Sequence, residues 1–213
     1  MLDKSPEKNY PREIRRIPII KTPLPLLIPA LFVLGCAHSP SRVCVPDTPR
    51  GSNQTLHQFT RDTGTGGWQI EDDLVMGGRS RGRLEINEAG NAVFSGSISL
   101  ENDGGFSSIQ RDFDSLDVSG YRALCIGLKG DGRRCQVRVE ASPADRHAYA
   151  FDFPTSGEWQ AVEIPFDRLY AIRHGDRLDL PGYPGQTLSR VQILAGPPPG
   201  PFRLEIDRLW LVK

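Results

Sequence analysis

Arg83-Leu-Glu-Ile-Asn-Glu-Ala-Gly-Asn-Ala-Val-Phe-Ser-Gly-Ser-Ile-Ser-Leu100 alternates apolar and polar residues on both sides of Glu88-Ala-Gly-Asn91. A period of two sends successive side chains to opposite faces of a strand, and the Gly-Asn step between the runs is turn chemistry. The stretch is read as a β-hairpin. The same alternation continues outward. Tyr121 to Leu128 and Cys135 to Glu140 are read as a second hairpin around Asp131-Gly132. His147 to Phe153, Trp159 to Ile164, Arg190 to Leu194 and Phe202 to Val212 follow, parted by Pro- and Gly-rich turns, with Pro197-Pro-Pro-Gly200 as the hardest break. No segment carries helix-length apolar periodicity, although Phe166 to Ile172 has room for a helical turn. Arg173 to Thr187 reads as a long polar loop at one end. About nine to eleven short strands at this spacing predict an all-β fold, a β-sandwich spanning residues 55–213.

The 213 residues carry 26 basic and 26 acidic side chains, but six of the basic ones precede position 22, against Asp3, Glu7 and Glu13. The remainder is slightly acidic, which excludes the electrostatic footprint of a nucleic-acid binder. After Lys21 comes Thr22-Pro-Leu-Pro-Leu-Leu-Ile-Pro-Ala-Leu-Phe-Val-Leu34, then Gly35-Cys36. That run is too short to cross a bilayer core of about 30 Å as a helix, and its prolines weaken it further. A basic segment before a short apolar one is the pattern of an export signal, assigned to residues 1–35. Val33-Leu-Gly-Cys36 resembles a bacterial lipobox, which makes Cys36 the lipidated residue. Residues 36–54, rich in Pro and small polar residues, then read as a flexible tether. The expected location is the bacterial cell envelope, lipid-anchored and facing the periplasm. Ala37 is similar to the residue found in lipoproteins sent to an outer membrane.

Export permits disulfides. Matching the apolar faces across Asp131-Gly132 puts Cys135 on the core side and Cys125 on the other, so both are expected as free thiols.

Two loop-like segments interrupt the alternation: Trp68-Gln-Ile-Glu-Asp-Asp-Leu-Val-Met-Gly-Gly-Arg-Ser80 and Glu101-Asn-Asp-Gly-Gly-Phe-Ser-Ser108. Gly78-Arg-Ser-Arg-Gly82 matches the Gly-x-Ser-x-Gly nucleophile pattern, but that motif needs a strand turning into a helix, and an alternating strand follows here. The His residues are isolated and no Cys or His pair has zinc spacing. Glu71-Asp72-Asp73 and Glu101-Asn102-Asp103 offer oxygen ligands for Ca²⁺, and the reading preferred over that is turn capping. No cofactor and no catalytic residue is assigned.

Several motifs in order carry a family resemblance. They are Trp68 with Asp72-Asp73-x-Val75-Met76-Gly77-Gly78-x-Ser80, then Ala92-Val93-Phe94-Ser95-Gly96. Next come Ser99-Leu100-Glu101-Asn102 with Gly104-Gly105-Phe106-Ser107-Ser108, and Gly130-Asp131-Gly132-Arg133. Trp159 leading to Ile164-Pro165-Phe166, and Gly200-Pro201-Phe202-x-Leu204-x-Ile206, complete the set. From about Phe59 onward the chain resembles the complex I intermediate-associated protein 30 family. The resemblance implies a galactose-binding-like jelly-roll sandwich and a non-enzymatic, assembly-factor or chaperone-like role. An export signal would place the domain on the opposite side of the membrane from complex I assembly itself.

The expected function is therefore non-catalytic binding of an envelope or membrane protein, with a carbohydrate-binding module for envelope glycans as the alternative. A site is looked for between the two interrupting loops. Asp73, Ser80, Asn102 and Ser107 would supply hydrogen bonds, Trp68, Met76 and Phe106 apolar contact, and Gly77, Gly78, Gly104 and Gly105 close backbone approach. In the competing reading Met76 and Phe106 plug the sandwich and the polar groups only fix loop geometry. Trp159, out of phase with Val162 and Ile164, is expected to face away from the core, where an exposed ring can stack on a sugar or anchor a partner.

Overall fold

The computed structural model describes residues 53–213, apart from the side chains of Val75 and Met76. The expectations for Cys36, for the export signal and for most of the tether lie outside the described residues. The described chain forms thirteen strands: β1 (Asn53–Gln58), β2 (Gln69–Asp72), β3 (Arg81–Ile86), β4 (Ala92–Ile98), β5 (Ser107–Asp117), β6 (Ala123–Lys129), β7 (Arg134–Glu140), β8 (Ala148–Pro154), β9 (Trp159–Pro165), β10 (Tyr170–Arg173), β11 (Asp176–Arg177), β12 (Thr187–Ala195) and β13 (Gly200–Val212). Three short 3-10 turns, Asp73–Met76, Glu101–Asp103 and Phe166–Arg168, sit in the connections. The last is the helical turn expected within 166–172, followed at once by β10.

Two antiparallel sheets result. One runs β3-β4-β13-β6-β9, with β1 also paired to β13; the other runs β11-β10-β8-β7-β12-β5-β2. This is the galactose-binding-like jelly roll. The hairpin that opened the sequence reading is present, with Ile86 opposite Ala92.

The second expected hairpin is not. Strand β6 pairs with β9 and β13 in one sheet, and β7 pairs with β8 and β12 in the other. The turn at Asp131-Gly132 therefore crosses between layers. What holds that crossing is Arg133. Its guanidinium donates to the carbonyls of Gly196 at 2.8 Å and Pro201 at 2.6 Å, and it lies 5.5 Å from the Phe202 ring centre. Asp131 accepts from Arg133 and from the Arg203 backbone N–H at 3.0 Å. A charged pin of this kind is invisible to local turn statistics.

The core lies between the sheets, and alternation decides which residues reach it. On β7, Cys135, Val137 and Val139 are buried while Arg134, Gln136, Arg138 and Glu140 turn outward. Leu124, Ile126 and Leu128 answer them from β6. Each such side chain contributes roughly 1.5–3 kcal/mol on burial. Cys125 points to the other face of its sheet, beside Trp210. The face assignment for both cysteines holds, although the hairpin used to reach it does not. Cys135 is a free thiol pushed up to about 12 by burial, which leaves it unreactive. Cys125 corrects the expectation of two free thiols: it is disulfide-bonded.

One end of the core is closed by His57, Phe59 and Trp68. The His57 and Phe59 rings meet edge to face at 4.4 Å, and Trp68 lies 5.7 Å from Phe59. Arg111 donates to His57 Nδ1, and Nε2 is buried with no partner. A neutral imidazole suits this setting. Burial, and then the Arg111 charge, lower the His57 pKa from 6.5 to about 4. Protons therefore bind the unfolded chain before the folded one. Stability is full above pH 6.5 and declines as pH falls towards 4, by an amount on the order of 2–3 kcal/mol. Urea midpoints measured at pH 7 and pH 4.5 should show the decline, and His57→Gln should flatten it; an unchanged slope in that variant would count against the assignment.

Candidate functional site

The two interrupting loops meet around one buried carboxylate. Asp73, in the 3-10 turn after β2, has no exposed surface. Its Oδ1 accepts the Ser80 backbone N–H at 3.0 Å, and its Oδ2 accepts the Ser80 hydroxyl at 2.6 Å. The same Oδ2 accepts Gly105 N–H at 2.7 Å and Phe106 N–H at 3.3 Å from the second loop. Burial alone would raise its pKa, but the bonds from Ser80, Gly105 and Phe106 outweigh burial and hold it below the ordinary carboxylate range. The glycines make this geometry available. A Cβ on Gly78 would overlap the Asp73 carboxyl, and one on Gly104 would lie 2.6 Å from Oδ2. Gly77, at φ +86°, caps the turn in the left-handed region that glycine favours.

Neighbouring acids are committed in the same way. Asp72 accepts the Ser107 hydroxyl at 2.6 Å and Gly82 N–H at 3.2 Å. Asn102 donates to the Gly77 carbonyl at 3.0 Å, and Glu101 pairs with Arg79 at 2.9 Å. Ser80 spends its hydroxyl on Asp73 while accepting Ser99 N–H at 3.0 Å, and it is fully buried, so its Gly-x-Ser-x-Gly context has no exposed nucleophile to offer. Trp68 is buried in the core cluster. The expected contact from the Met76 side chain lies outside the described residues. Asp73, Ser80, Ser107 and Trp68 thus face inward, and the loops they shape are brought together by them. Among the described residues no group of three or more His, Cys, Asp or Glu is arranged to hold a metal ion.

The open surface lies elsewhere. The outward face of the seven-stranded sheet forms a trough of about 810 Å³, within the size range of ligand clefts. Strand register sets its floor: Gln110, Gln192 and Arg138 lie side by side across β5, β12 and β7, in a row that Gln69 continues on β2 and Ala150 and Tyr170 continue on β8 and β10 beyond the trough. One step along the strands, Gln136 stands beside Asp152. The loop residues Gly104, Gly105 and Phe106 form part of one wall, and His174 and Gly175, in the loop expected at 173–187, form part of another. The second interrupting loop therefore borders the trough, through its glycines and Phe106. Trp159 does not. It is 48% exposed, as its phase predicted, but begins the edge strand β9 of the other sheet.

Most polar groups on the floor are coupled. Asp152 accepts the Tyr170 hydroxyl at 2.6 Å and Gln136 at 2.9 Å. Burial first, and then this bond to Asp152, push the Tyr170 hydroxyl up to about 12. Gln192 donates to Glu71 at 3.1 Å and to Ser108 at 2.9 Å. Arg190 bridges Asp112 at 2.6 Å and Glu140 at 3.2 Å. Arg138 gives its Nε to Gln136 at 2.6 Å, and burial lowers its pKa against the pull of Tyr170, Glu71 and Asp152. Sequence reading missed Gln110, Gln136, Arg138, Asp152, Tyr170 and Gln192. The signal was available in the alternation of Arg134 to Glu140, whose polar phase is the floor of the trough.

The chain belongs to the complex I intermediate-associated protein 30 family, whose model matches residues 57–206. No match emerges among curated proteins. Among solved structures it is similar to the family 11 carbohydrate-binding module from Clostridium thermocellum, determined in complex with a β-1,3-1,4-mixed-linked tetrasaccharide. Identity is 16% and the TM-score 0.54, covering 76% of this chain and 95% of the module. The same family's module from the C. thermocellum cellulase Lic26A-Cel5E aligns at 17% identity and TM-score 0.54, covering 75% and 94%. The agarase AgWH50C aligns at 8% identity and TM-score 0.53, covering 76% of this chain and 25% of the enzyme. At these identities the likeness establishes the fold.

Removing the Asp73 carboxylate leaves buried N–H donors on both loops unpaired. Asp73→Ala should lower stability by about 3 kcal/mol, with Asp73→Asn intermediate. Because the folded pKa is depressed, the carboxylate's contribution is present above the ordinary value near 4 and is lost as pH falls below it. Chemical denaturation at pH 7 and pH 3 measures both effects; a difference from the wild type under about 0.5 kcal/mol at pH 7 would remove Asp73 from its assigned role.

Proposed function

We propose that this chain is a non-catalytic, lipid-anchored envelope protein that binds an oligosaccharide along the open face of its seven-stranded sheet. The observation that carries this reading is the trough floor, where amide, guanidinium and carboxylate groups from adjacent strands line one continuous surface. A sugar presents closely spaced hydroxyls, each both donor and acceptor. Side-chain amides such as Gln110, Gln136 and Gln192 answer with both functions on one group. A rigid sheet holds such groups at fixed spacing, which lowers the ordering cost of binding. The fold shared with carbohydrate-binding modules agrees with this reading.

A second reading, a protein partner in an assembly-type role, is favoured by family membership and by exposed apolar side chains on or beside the two loops. Ile70, Leu74 and Leu100 are exposed at 41%, 46% and 50%, and all belong to or adjoin the two loops tied by Asp73. An export signal and lipobox would place either activity at the envelope, facing the periplasm.

Isothermal titration of the domain against soluble gluco-, chito- and uronate-oligosaccharides should give saturable heats, abolished when Gln136 and Gln192 are both replaced by Ala. Absence of heat with every sugar, together with crosslinking of one membrane protein to Leu74 or Leu100, would transfer the function to the second reading. The anchor has its own test: palmitate labelling in a bacterial host should depend on Cys36, and label retained in Cys36→Ala would remove the lipobox from the account.

A further inference from the structure

We infer that the trough selects an acidic ligand, and that the ligand's carboxylate docks on the guanidinium of Arg138. The inference rests on the oligosaccharide reading and narrows it to a uronate-bearing chain. Arg138 lies at the middle of the floor, opposite Gln192 on one side and Ala150 on the other. Its Nε is spent on Gln136, while its two terminal nitrogens have no hydrogen-bond partner among the described residues. Nor does any carboxylate of the described residues come within ion-pair distance of it. The acids nearby hold other hydrogen bonds, Glu71 with Gln192, Asp152 with Tyr170 and Gln136, and Glu140 with Arg190, while Glu71 and Asp152 keep their charge and act on Arg138 through space.

The Arg138 guanidinium thus keeps two donors open towards the trough. Burial penalises its charge, and Glu71 and Asp152 offset that penalty only from beyond contact distance. Arginine cannot relieve the cost by losing its proton. A planar carboxylate arriving from the trough would meet both terminal nitrogens in parallel, the geometry that a guanidinium fork matches best. Arg134, Arg146 and Arg173 also line the trough and make no ion pair among the described residues, but with Arg138 they are matched in number by Glu71, Asp103, Asp145 and Asp152, so selection rests on the Arg138 fork and not on net charge.

The test compares tetramers of galacturonate and of alginate with cellotetraose, by titration calorimetry on the lipid-free domain. At least one uronate tetramer should bind roughly tenfold more tightly than cellotetraose, and that advantage should shrink as salt is raised. Methyl-esterifying galacturonate removes the charge and keeps the sugar. If galacturonate is the preferred tetramer, esterification should abolish the advantage without any change to the protein. Arg138→Gln should bring uronate affinity down to the neutral level while leaving cellotetraose binding in place, and Arg138→Lys should recover part of the loss. Cellotetraose binding as well as or better than both uronates would overturn the inference and leave the oligosaccharide reading standing. Binding of none of the tetramers would overturn both.

Discussion

Everything at the loop end of this sandwich depends on the Asp73 carboxylate. It collects donors from residues 80, 105 and 106, so two loops from opposite sides of the β3–β4 hairpin become one unit. A buried charge is stable only when its lone pairs are filled, and here four donors fill them. The paired glycines follow from that requirement, since side chains at positions 78 or 104 would occupy the carboxyl's space. The second loop is thereby held against the sheet, and its Gly104 to Phe106 segment becomes part of the wall of the trough. The most conspicuous motif in the chain therefore builds the site's edge, while the floor is built by ordinary-looking strands.

The floor is a consequence of register. Alternation on β7 sends Val137 and Val139 to the core and leaves Gln136 and Arg138 on the outer face. Antiparallel pairing then aligns these residues with Gln192, Gln110 and Asp152 from strands that lie before and after β7 in the chain. A galactose-binding-like sandwich can carry such a surface without any short sequence motif. The chemistry is distributed over five strands, one or two residues from each.

Parts of this architecture were legible before the fold was known. The alternation around Glu88 to Asn91 announced a hairpin, the phase of Cys135 and Cys125 announced their faces, and the phase of Trp159 announced an exposed ring. The inward role of Asp73 was open. Its residue types suit both a ligand site and a loop lock, and only the positions of Gly105 and Phe106 relative to it separate the two. The second hairpin was misread because Asp131-Gly132 is good turn chemistry, whereas the force directing that turn across the layers comes from Arg133 reaching Gly196 and Pro201. The bonded state of Cys125 was misread for a related reason: the pairing was tested only against its neighbour along the chain.

The sequence by itself determined the β class, the family, and which side of each strand meets the core. These depend on interactions within a few residues, on periodicity, and on a set of motifs in fixed order. Only the tertiary structure decided which strands share a sheet, that the signature loops lock onto Asp73, and that Arg138 keeps two donors open in a polar trough. Those outcomes depend on pairings between distant segments, set by register and by burial, and no local pattern carries that information.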